Sequence, residues 1–201
     1  MTFELFLALA GFALATSITP GPNNLMLMAS GANFGLQRSI PHMLGISIGH
    51  GFMMVMIGLG LIRVFEAYPM LHTAMKVISV VYLLFLAWKI ARAAPPVEGQ
   101  AAGKPFTFLQ AAGFQWVNPK GWFMALTAVT VYAPSESMLA ILTVAAIFST
   151  INLPSILLWT YLGQSLRRFL TSHNRLKMFN WTMAALLVAS LAMIFQPVSG
   201  Q

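Results

Sequence analysis

The stretch Thr19-Pro20-Gly21-Pro22-Asn23-Asn24 decides the fold, because it interrupts the longest uncharged run in the chain. That run extends from Leu5 to Gln37 over 33 residues, whereas a membrane-crossing helix needs only about 20. Each proline removes a backbone donor, which costs a helix interior about 3 kcal/mol, and turns the preceding residue away from helical geometry. Two prolines around a glycine therefore predict an unwound segment in the middle of a membrane helix.

A second break, Asn118-Pro119-Lys120, lies inside a later apolar run. Asn is a favoured N-cap and Pro a favoured first helical residue, so a helix is expected to restart here. Unwound backbone at bilayer depth is tolerated only inside protein or beside a wet cavity, and matching breaks in two halves of a chain are typical of a transport site. We therefore expect residues 19–24 and 118–120 to meet and bind a small solute. The alternative is a pair of ordinary proline kinks, each stabilised by a neighbouring helix.

The composition excludes several classes of protein. The chain is 58% hydrophobic and 7% charged, whereas an average globular protein carries roughly 25% charged residues. It has four acidic residues, all Glu, and no Cys, which argues against a soluble enzyme and a disulfide-linked secreted module. The net charge of +7 is spread between apolar runs rather than clustered, so lipid and not nucleic acid is the expected partner.

The apolar runs predict six membrane helices, centred near residues 18, 52, 81, 118, 150 and 187. The first run lacks a basic start and is too long for a cleaved signal peptide, so we expect it to be retained. Lys and Arg are concentrated in the loops after helices one, three and five, which predicts that both termini lie outside the cytoplasm. Those loops hold Arg38, Lys89, Arg92, Lys104, Arg167, Arg168, Arg175 and Lys177, against Arg63 and Lys76 on the other side.

These helices form one integral membrane domain, residues 1–201, in an all-α fold. Residues 93–104, rich in Pro and Gly, predict a cytoplasmic linker between a first half at 1–92 and a second half at 105–201. Because each half has three helices, duplicated halves would enter the membrane from opposite sides and form an inverted repeat. The broken helices, one and four, would then be equivalent.

Four side chains near the breaks are candidates for function. A charge such as Lys120 at bilayer depth costs about 2.5–3.5 kcal/mol, and the start of a helix also repels a cation, which indicates a bound anion or loss of the proton. The alternative is a lysine that reaches the membrane surface. Asn23 and Asn24 offer amide groups beside a helix start suited to a carboxylate, or serve as N-caps. His50 titrates near neutral pH and is a candidate proton carrier, or else a packing residue.

The two breaks, together with Gly45-xxx-Gly49 and Leu86-Ala87-Trp88-Lys89-Ile90, resemble the LysE/RhtB family of amino-acid exporters, and most closely its cysteine and O-acetylserine branch. The resemblance implies a small inner-membrane protein that exports amino acids or their relatives, driven by the proton gradient. The binding residues it implies are Pro20, Gly21, Pro22, Asn23, Asn118, Pro119 and Lys120. The sequence departs from many members at Asn23 and His50, where they carry Asp, and this argues against carboxylate-based coupling and strongly cationic substrates.

We therefore predict alternating-access export of a neutral amino acid, without a metal or other cofactor. The substrate carboxylate would meet Lys120 or the first turn after Pro22, and its amine would meet Asn oxygens and the carbonyls freed at Thr19 and Pro20. Protonation of Lys120 or His50 would bias the two states. The alternatives are a membrane-embedded enzyme using Ser47 and His50, three residues apart on one helix face, or a passive channel. Two Gly-xxx-Gly faces, Gly31/Gly35 and Gly45/Gly49, predict close packing between helices and also permit a homodimer.

Overall fold

The structure is a computed structural model that describes residues 1–68, 70–93, 104–135 and 137–194. All the regular structure in these ranges is helical. The predicted linker at 93–104 falls almost wholly on residues 94–103, which lie outside the described part. The helices are α1 Phe3–Ile18, α2 Pro22–Phe34, α3 Leu36–Met56, α4 Ile62–Ala67, α5 Met70–Ala91, α6 Phe108–Phe114, α7 Pro119–Tyr132, α8 Met138–Arg167 and α9 His173–Ala189.

The first predicted break separates α1 from α2. α1 ends at Ile18 because Thr19, which precedes a proline, is extended (φ −67°, ψ 145°). α2 begins with Pro22 as its first residue, and the two helix axes are bent by 55°. α2 ends at Gly35, whose φ of +80° suits glycine and whose N–H donates to the Gly31 carbonyl. Because α3 begins at the next residue, this turn folds α3 back beside α2.

The second predicted break separates α6 from α7. α6 tightens into a 3₁₀ turn at Gln115–Val117, Asn118 is extended, and α7 starts at Pro119. Both breaks therefore fall where the prolines predict them, because a missing N–H and a fixed φ act locally.

The all-α membrane class is confirmed for the described residues. Three helices are individually long and apolar enough to cross a bilayer, and the bent α1–α2 pair is a fourth candidate span. The remaining segments are shorter: α6 has seven residues before its break, and α9 has seventeen. The six-helix inverted layout therefore stays a prediction.

α2 lies at the centre of the molecule, and its closest neighbour is α8. A Cβ on Gly31 would collide with the Thr160 carbonyl oxygen, and one on Gly163 with the Met28 carbonyl oxygen. Glycine at both positions lets the two backbones touch, as small residues do between membrane helices.

The interiors of two helices differ from what their sequences predict. Ser149, Thr150, Asn152 and Pro154 predict a polar, broken centre in the fifth helix, but α8 continues through them for 30 residues, because one proline removes a single hydrogen bond. The second helix, by contrast, contains an unforeseen π turn at Ile57–Leu61, where Gly60 has a φ of +96°. No proline marks that turn, and only glycine tolerates its geometry easily.

The glycine faces that permitted a homodimer are used within the chain. A Cβ on Gly45 would collide with the Phe108 carbonyl oxygen, and one on Gly49 would lie 2.6 Å from Cα of Ala112, both in α6. Gly31 is likewise covered by α8. The homodimer stays a prediction, but these glycines do not support it.

Candidate functional site

Lys120 joins the two breaks. Its Nζ donates to the Thr19 carbonyl oxygen at 2.7 Å, to Thr19 Oγ1 at 2.9 Å and to the Pro20 carbonyl oxygen at 3.4 Å. These residues are about a hundred positions apart in sequence, so residues 19–24 and 118–120 are in direct contact. We refer to the space between them as the break site.

These contacts explain how a charge is held at this position. The start of α7 repels a cation, but Lys120 points at the C-terminal end of α1, where carbonyl oxygens carry the negative end of the helix dipole. From the sequence, a bound anion or the loss of the proton would explain a lysine at this position. The structure supplies another explanation, because the Thr19 and Pro20 carbonyls and the Thr19 hydroxyl accept the hydrogen bonds that the ammonium group makes here.

The carbonyls released at the first break are satisfied by side chains of α2 and α8. Asn24 Nδ2 donates to the carbonyls of Ser17 (2.7 Å) and Thr19 (2.9 Å). Trp159 Nε1, from α8, donates to the Ile18 carbonyl at 3.1 Å. Asn24 therefore stabilises the unwound backbone and is not an N-cap, a position held by Gly21.

Asn118 occupies the N-cap position of α7, but its side chain makes no capping bond. Its side chain is 2% exposed, and its Oδ1 has no hydrogen-bond partner. A buried acceptor left unpaired costs about 1–3 kcal/mol, and such groups call for a specific explanation. The N-cap prediction is therefore right in position and wrong in role, and Asn118 keeps a free acceptor facing the break site.

Asn23 pairs with Gln115 across the same junction. Asn23 Nδ2 donates to Gln115 Oε1 at 2.9 Å, and Gln115 Nε2 donates back to Asn23 Oδ1 at 3.2 Å. Gln115 is fully buried and also donates to the Ala111 carbonyl. This reciprocal amide pair ties the first turn of α2 to the 3₁₀ turn of the second break.

His50 reaches the second break from α3. Its Nε2 lies 3.1 Å from the Gly121 carbonyl oxygen, and because a carbonyl only accepts, Nε2 carries the hydrogen in this bond. Nδ1 is buried without a partner and is the acceptor nitrogen of the neutral ring. His50 thus bonds to α7 and not to Ser47, the pairing that an enzyme would need.

The break site encloses a small polar cavity of about 20 Å³, which is room for about one water molecule. Three buried atoms among its lining residues have no hydrogen-bond partner: Ser17 Oγ, His50 Nδ1 and Asn118 Oδ1. Lys120 also lines it, and no acidic residue does so among the described residues. Nor do the described residues contain a cluster of His, Cys, Asp or Glu suited to a metal ion.

The cavity gathers most of the sequence-predicted residues and some that were missed. Gly21, Asn23, Asn24, Asn118, Lys120 and His50 line it, whereas Thr19 and Pro20 contact it through the Lys120 bonds and the two prolines Pro22 and Pro119 start the helices beside it. Ser17, Gln115 and Asn152 were not predicted as site residues. A polar side chain within four residues of a break was the available signal for the first two, whereas Asn152 reaches the cavity only through the packing of α8.

Known proteins that resemble the chain are described as translocators or efflux proteins. The sequence matches the family described as LysE type translocator over residues 14–195. It is 29% identical over 190 residues to a cysteine/O-acetylserine efflux protein of Klebsiella pneumoniae, covering 94% of this chain and 95% of the relative. Proteins of that name from Salmonella typhimurium and Escherichia coli K12 are 29% and 28% identical, each over 97% of this chain and all of the relative. No solved structure matches the chain.

The family match spans most of the chain and includes both breaks. It confirms the resemblance seen in the sequence and the prediction that the protein is not an enzyme. With the apolar helices, it also identifies a multi-pass protein of the bacterial inner membrane. The chain belongs to the LysE family of translocators.

Proposed function

We propose that the protein exports a small neutral amino acid, or a close derivative, from the cytoplasm by alternating access coupled to protons. Relatives over nearly the full length are named for the efflux of cysteine and O-acetylserine, which are both uncharged overall. The lining of the break site supports a zwitterion, because a cationic side chain would need an acidic partner there.

One observation carries this proposal: three unpartnered polar atoms and an ammonium group surround a single cavity. Asn118 Oδ1 and His50 Nδ1 are acceptors suited to the substrate ammonium, and the Ser17 hydroxyl is a donor suited to its carboxylate. The unbonded N–H groups in the first turn of α2 add further donors for the carboxylate. Binding would give these buried groups the hydrogen bonds that they lack.

The substrate carboxylate would compete with Thr19 for Lys120. In the present conformation the ammonium group bonds to Thr19 and Pro20, which holds the two breaks together over a cavity too small for an amino acid. Transfer of those bonds to a carboxylate would separate the breaks and enlarge the cavity. The Lys120 contact would thus stabilise the present state, and transfer of its bonds to the substrate would favour the state with the larger cavity.

Helix packing supports two inverted halves that move against each other. α1 packs on α8 and α6 packs on α3, while α3 contacts α8 and α5 contacts α9. A two-fold axis that exchanges the halves would map the α1–α8 contact onto the α6–α3 contact, and the α3–α8 and α5–α9 contacts each onto itself, as an inverted repeat requires. The Lys and Arg distribution orients this arrangement with both termini outside the cytoplasm.

His50 and Lys120 are the groups we assign to proton coupling. A proton on His50 Nδ1 would turn the acceptor that faces the substrate ammonium into a donor and so repel it. Loss of a proton from Lys120 would weaken the bonds that hold Thr19. Either change favours one state of the cavity over the other.

The direct test of the binding site is counterflow in proteoliposomes with a panel of labelled amino acids. Wild type should exchange small neutral amino acids, and Asn118→Ala should reduce this about tenfold because the substrate ammonium loses an acceptor. Asn174→Ala, at an exposed position on α9, is the matched control and should exchange normally. Equal exchange by Asn118→Ala would remove the proposed site, and flux without counterflow would indicate a channel.

Coupling is tested separately in inverted vesicles, where an acid interior should drive accumulation of the same substrate. His50→Gln should keep counterflow but lose most of the gradient-driven accumulation, because an amide does not titrate. His173→Gln, at the exposed start of α9, should behave as wild type. Normal accumulation in His50→Gln would exclude His50 from coupling and leave Lys120.

A further inference from the structure

A second cavity lies beside α2, towards the end away from the break site. Its volume is about 390 Å³, within the usual range for small-molecule sites and far larger than the cavity between the breaks. It starts at Met26, one helical turn beyond Asn23, and extends to Phe34. None of the residues that line it was predicted from the sequence as a site residue.

His42 is the decisive residue in its lining. The imidazole is 2% exposed, yet neither Nδ1 nor Nε2 has a hydrogen-bond partner. The nearby hydroxyls of Ser30 and Ser39 are bonded to each other at 2.7 Å and do not satisfy the ring. A neutral imidazole offers one donor and one acceptor, so His42 presents both to a ligand in the cavity.

The mouth of this cavity is cationic. Lys89, Arg92 and Lys104 line it, and no acidic residue does so among its described lining residues. Lys89 Nζ lies 5.2 Å above the Phe106 ring, and the Arg92 guanidinium lies 4.9 Å above the Trp88 ring. These cation–π contacts hold the two charges at the mouth without using an oxygen acceptor. The cavity is therefore suited to an anionic group.

We propose that this His42 cavity is a second binding site, which takes a small molecule by its carboxylate before or after the molecule occupies the break site. The basic mouth attracts the carboxylate, His42 bonds to the polar end of the ligand, and Met26, Leu86 and Ile90 cover the remainder. The preference for a carboxylate rests on this cavity alone. That the ligand is an amino acid rests on the proposed function.

The face of α2 joins the two cavities. Asn23, Met26, Ser30 and Asn33 are spaced three or four residues apart and so lie on one side of the helix. Asn23 lines the break site, and the other three line the His42 cavity. The Asn23–Gln115 amide pair stands at the junction, where its opening would let a ligand pass from one cavity to the other.

The test is equilibrium binding of labelled L-cysteine to the full-length protein in nanodiscs of phosphatidylcholine. Wild type should bind two molecules per chain, and an Asn118→Ala, Lys120→Ala variant should bind one, at the His42 cavity. Adding His42→Phe to that variant should weaken the remaining site at least about tenfold, whereas His42→Gln, which restores a donor and an acceptor, should recover most of it. His173→Phe, at an exposed position, is the control.

The outcomes separate this inference from the proposed function. One molecule bound by both wild type and the break variant would contradict binding between the breaks and support the His42 cavity. No binding by a break variant that elutes as a single folded species would overturn the inference. Unchanged affinity in the His42→Phe background would do the same.

Competitors and lipid check the ligand chemistry. In the break variant, 3-mercaptopropionate, which keeps the carboxylate, should displace cysteine at least about tenfold better than cysteamine, which lacks it. Equal displacement would overturn the preference for a carboxylate. Binding should persist when phosphatidylglycerol is added to the nanodiscs, and its loss would assign the cavity to a lipid headgroup instead.

Discussion

The two breaks meet at one site, but they contribute opposite chemistry. The first break bends the chain by 55° and exposes backbone carbonyls, which accept from Asn24, Lys120 and Trp159. The second break is a short 3₁₀ turn, and its Trp116 carbonyl accepts a hydrogen bond from the nearby Trp122 Nε1 at 2.8 Å. Its contribution comes from side chains instead. One break is therefore an acceptor surface made of backbone, and the other carries the cation.

This difference has a physical origin. Two prolines around a glycine take the three residues 19–21 out of the helix and release several carbonyls together, whereas at the second break only Asn118 lies between the 3₁₀ turn and α7. The two breaks therefore do not form identical sites. A zwitterionic solute, with one group that accepts and one that donates, is matched by such an unequal pair.

The largest expected effect comes from removing the cation. Lys120→Met keeps the length of the side chain but deletes the bonds to Thr19 and Pro20, and with them the partner proposed for the substrate carboxylate. Hydrogen bonds to charged groups contribute about 1.5–3 kcal/mol, so export should fall about 10- to 100-fold at equal protein level, measured as efflux from loaded cells. Lys76→Met, at an exposed position on α5, is the control. Wild-type efflux from Lys120→Met would show that the breaks need no cation between them.

A smaller effect is expected from crowding the cation without removing it. A Cβ at Gly21 would lie 2.7 Å from Lys120 Cδ, so Gly21→Ala must displace that side chain, although φ of −172° is open to any residue. Export should fall about tenfold, as for the loss of one bond to a charged group, with little change in melting temperature because a flexible side chain can move.

Gly11→Ala is the matched control for this substitution, since no heavy atom lies within 4 Å of the added Cβ. It should export normally and melt at the same temperature or slightly higher, because Ala favours a helix. If Gly21→Ala also exports normally, export does not depend on the exact position of the Lys120 side chain between the two breaks.

The smallest effect is the coupling across the amide pair. A double-mutant cycle on Asn23→Leu and Gln115→Leu, followed by denaturant unfolding in detergent, should give a coupling energy of about 1 kcal/mol. The Asn33–Asn180 pair joins α2 to α9 by the same reciprocal bonds and should couple by a similar amount. The Asn23–Gln115 pair touches both breaks, so its loss should lower the export rate per folded molecule as well as the stability. A wild-type export rate per folded molecule would mean that Asn23–Gln115 acts through stability alone.

The prolines and Asn118 show how much of the fold and of the site could be predicted from the sequence. Proline positions predicted both breaks correctly, because their effect on the backbone needs no partner. The same reasoning failed in α8, where a lone proline is absorbed by the helix around it. The role of Asn118 was also misjudged, because whether a side chain caps its helix or faces a cavity depends on what packs beside it.

The missed residues share a single cause. Ser17, Gln115 and His42 are polar side chains in apolar runs, a pattern that equally fits a packed and bonded residue. In the structure, the neighbouring helices leave the polar atoms of Ser17 and His42 without hydrogen-bond partners. They bring Gln115 into hydrogen-bond contact with Asn23. That information resides in contacts between segments far apart in the chain.

The amino-acid order alone determined the membrane class, the helix boundaries at the breaks and the family, since hydropathy, proline geometry and short motifs are properties of local sequence. Tertiary structure decided which groups meet: that Lys120 reaches Thr19, that Asn118 and His50 share a cavity, and that glycine faces close the fold around α2. The physical reason is that a hydrogen bond or a cavity requires two surfaces, and the path of the chain through space selects the second one.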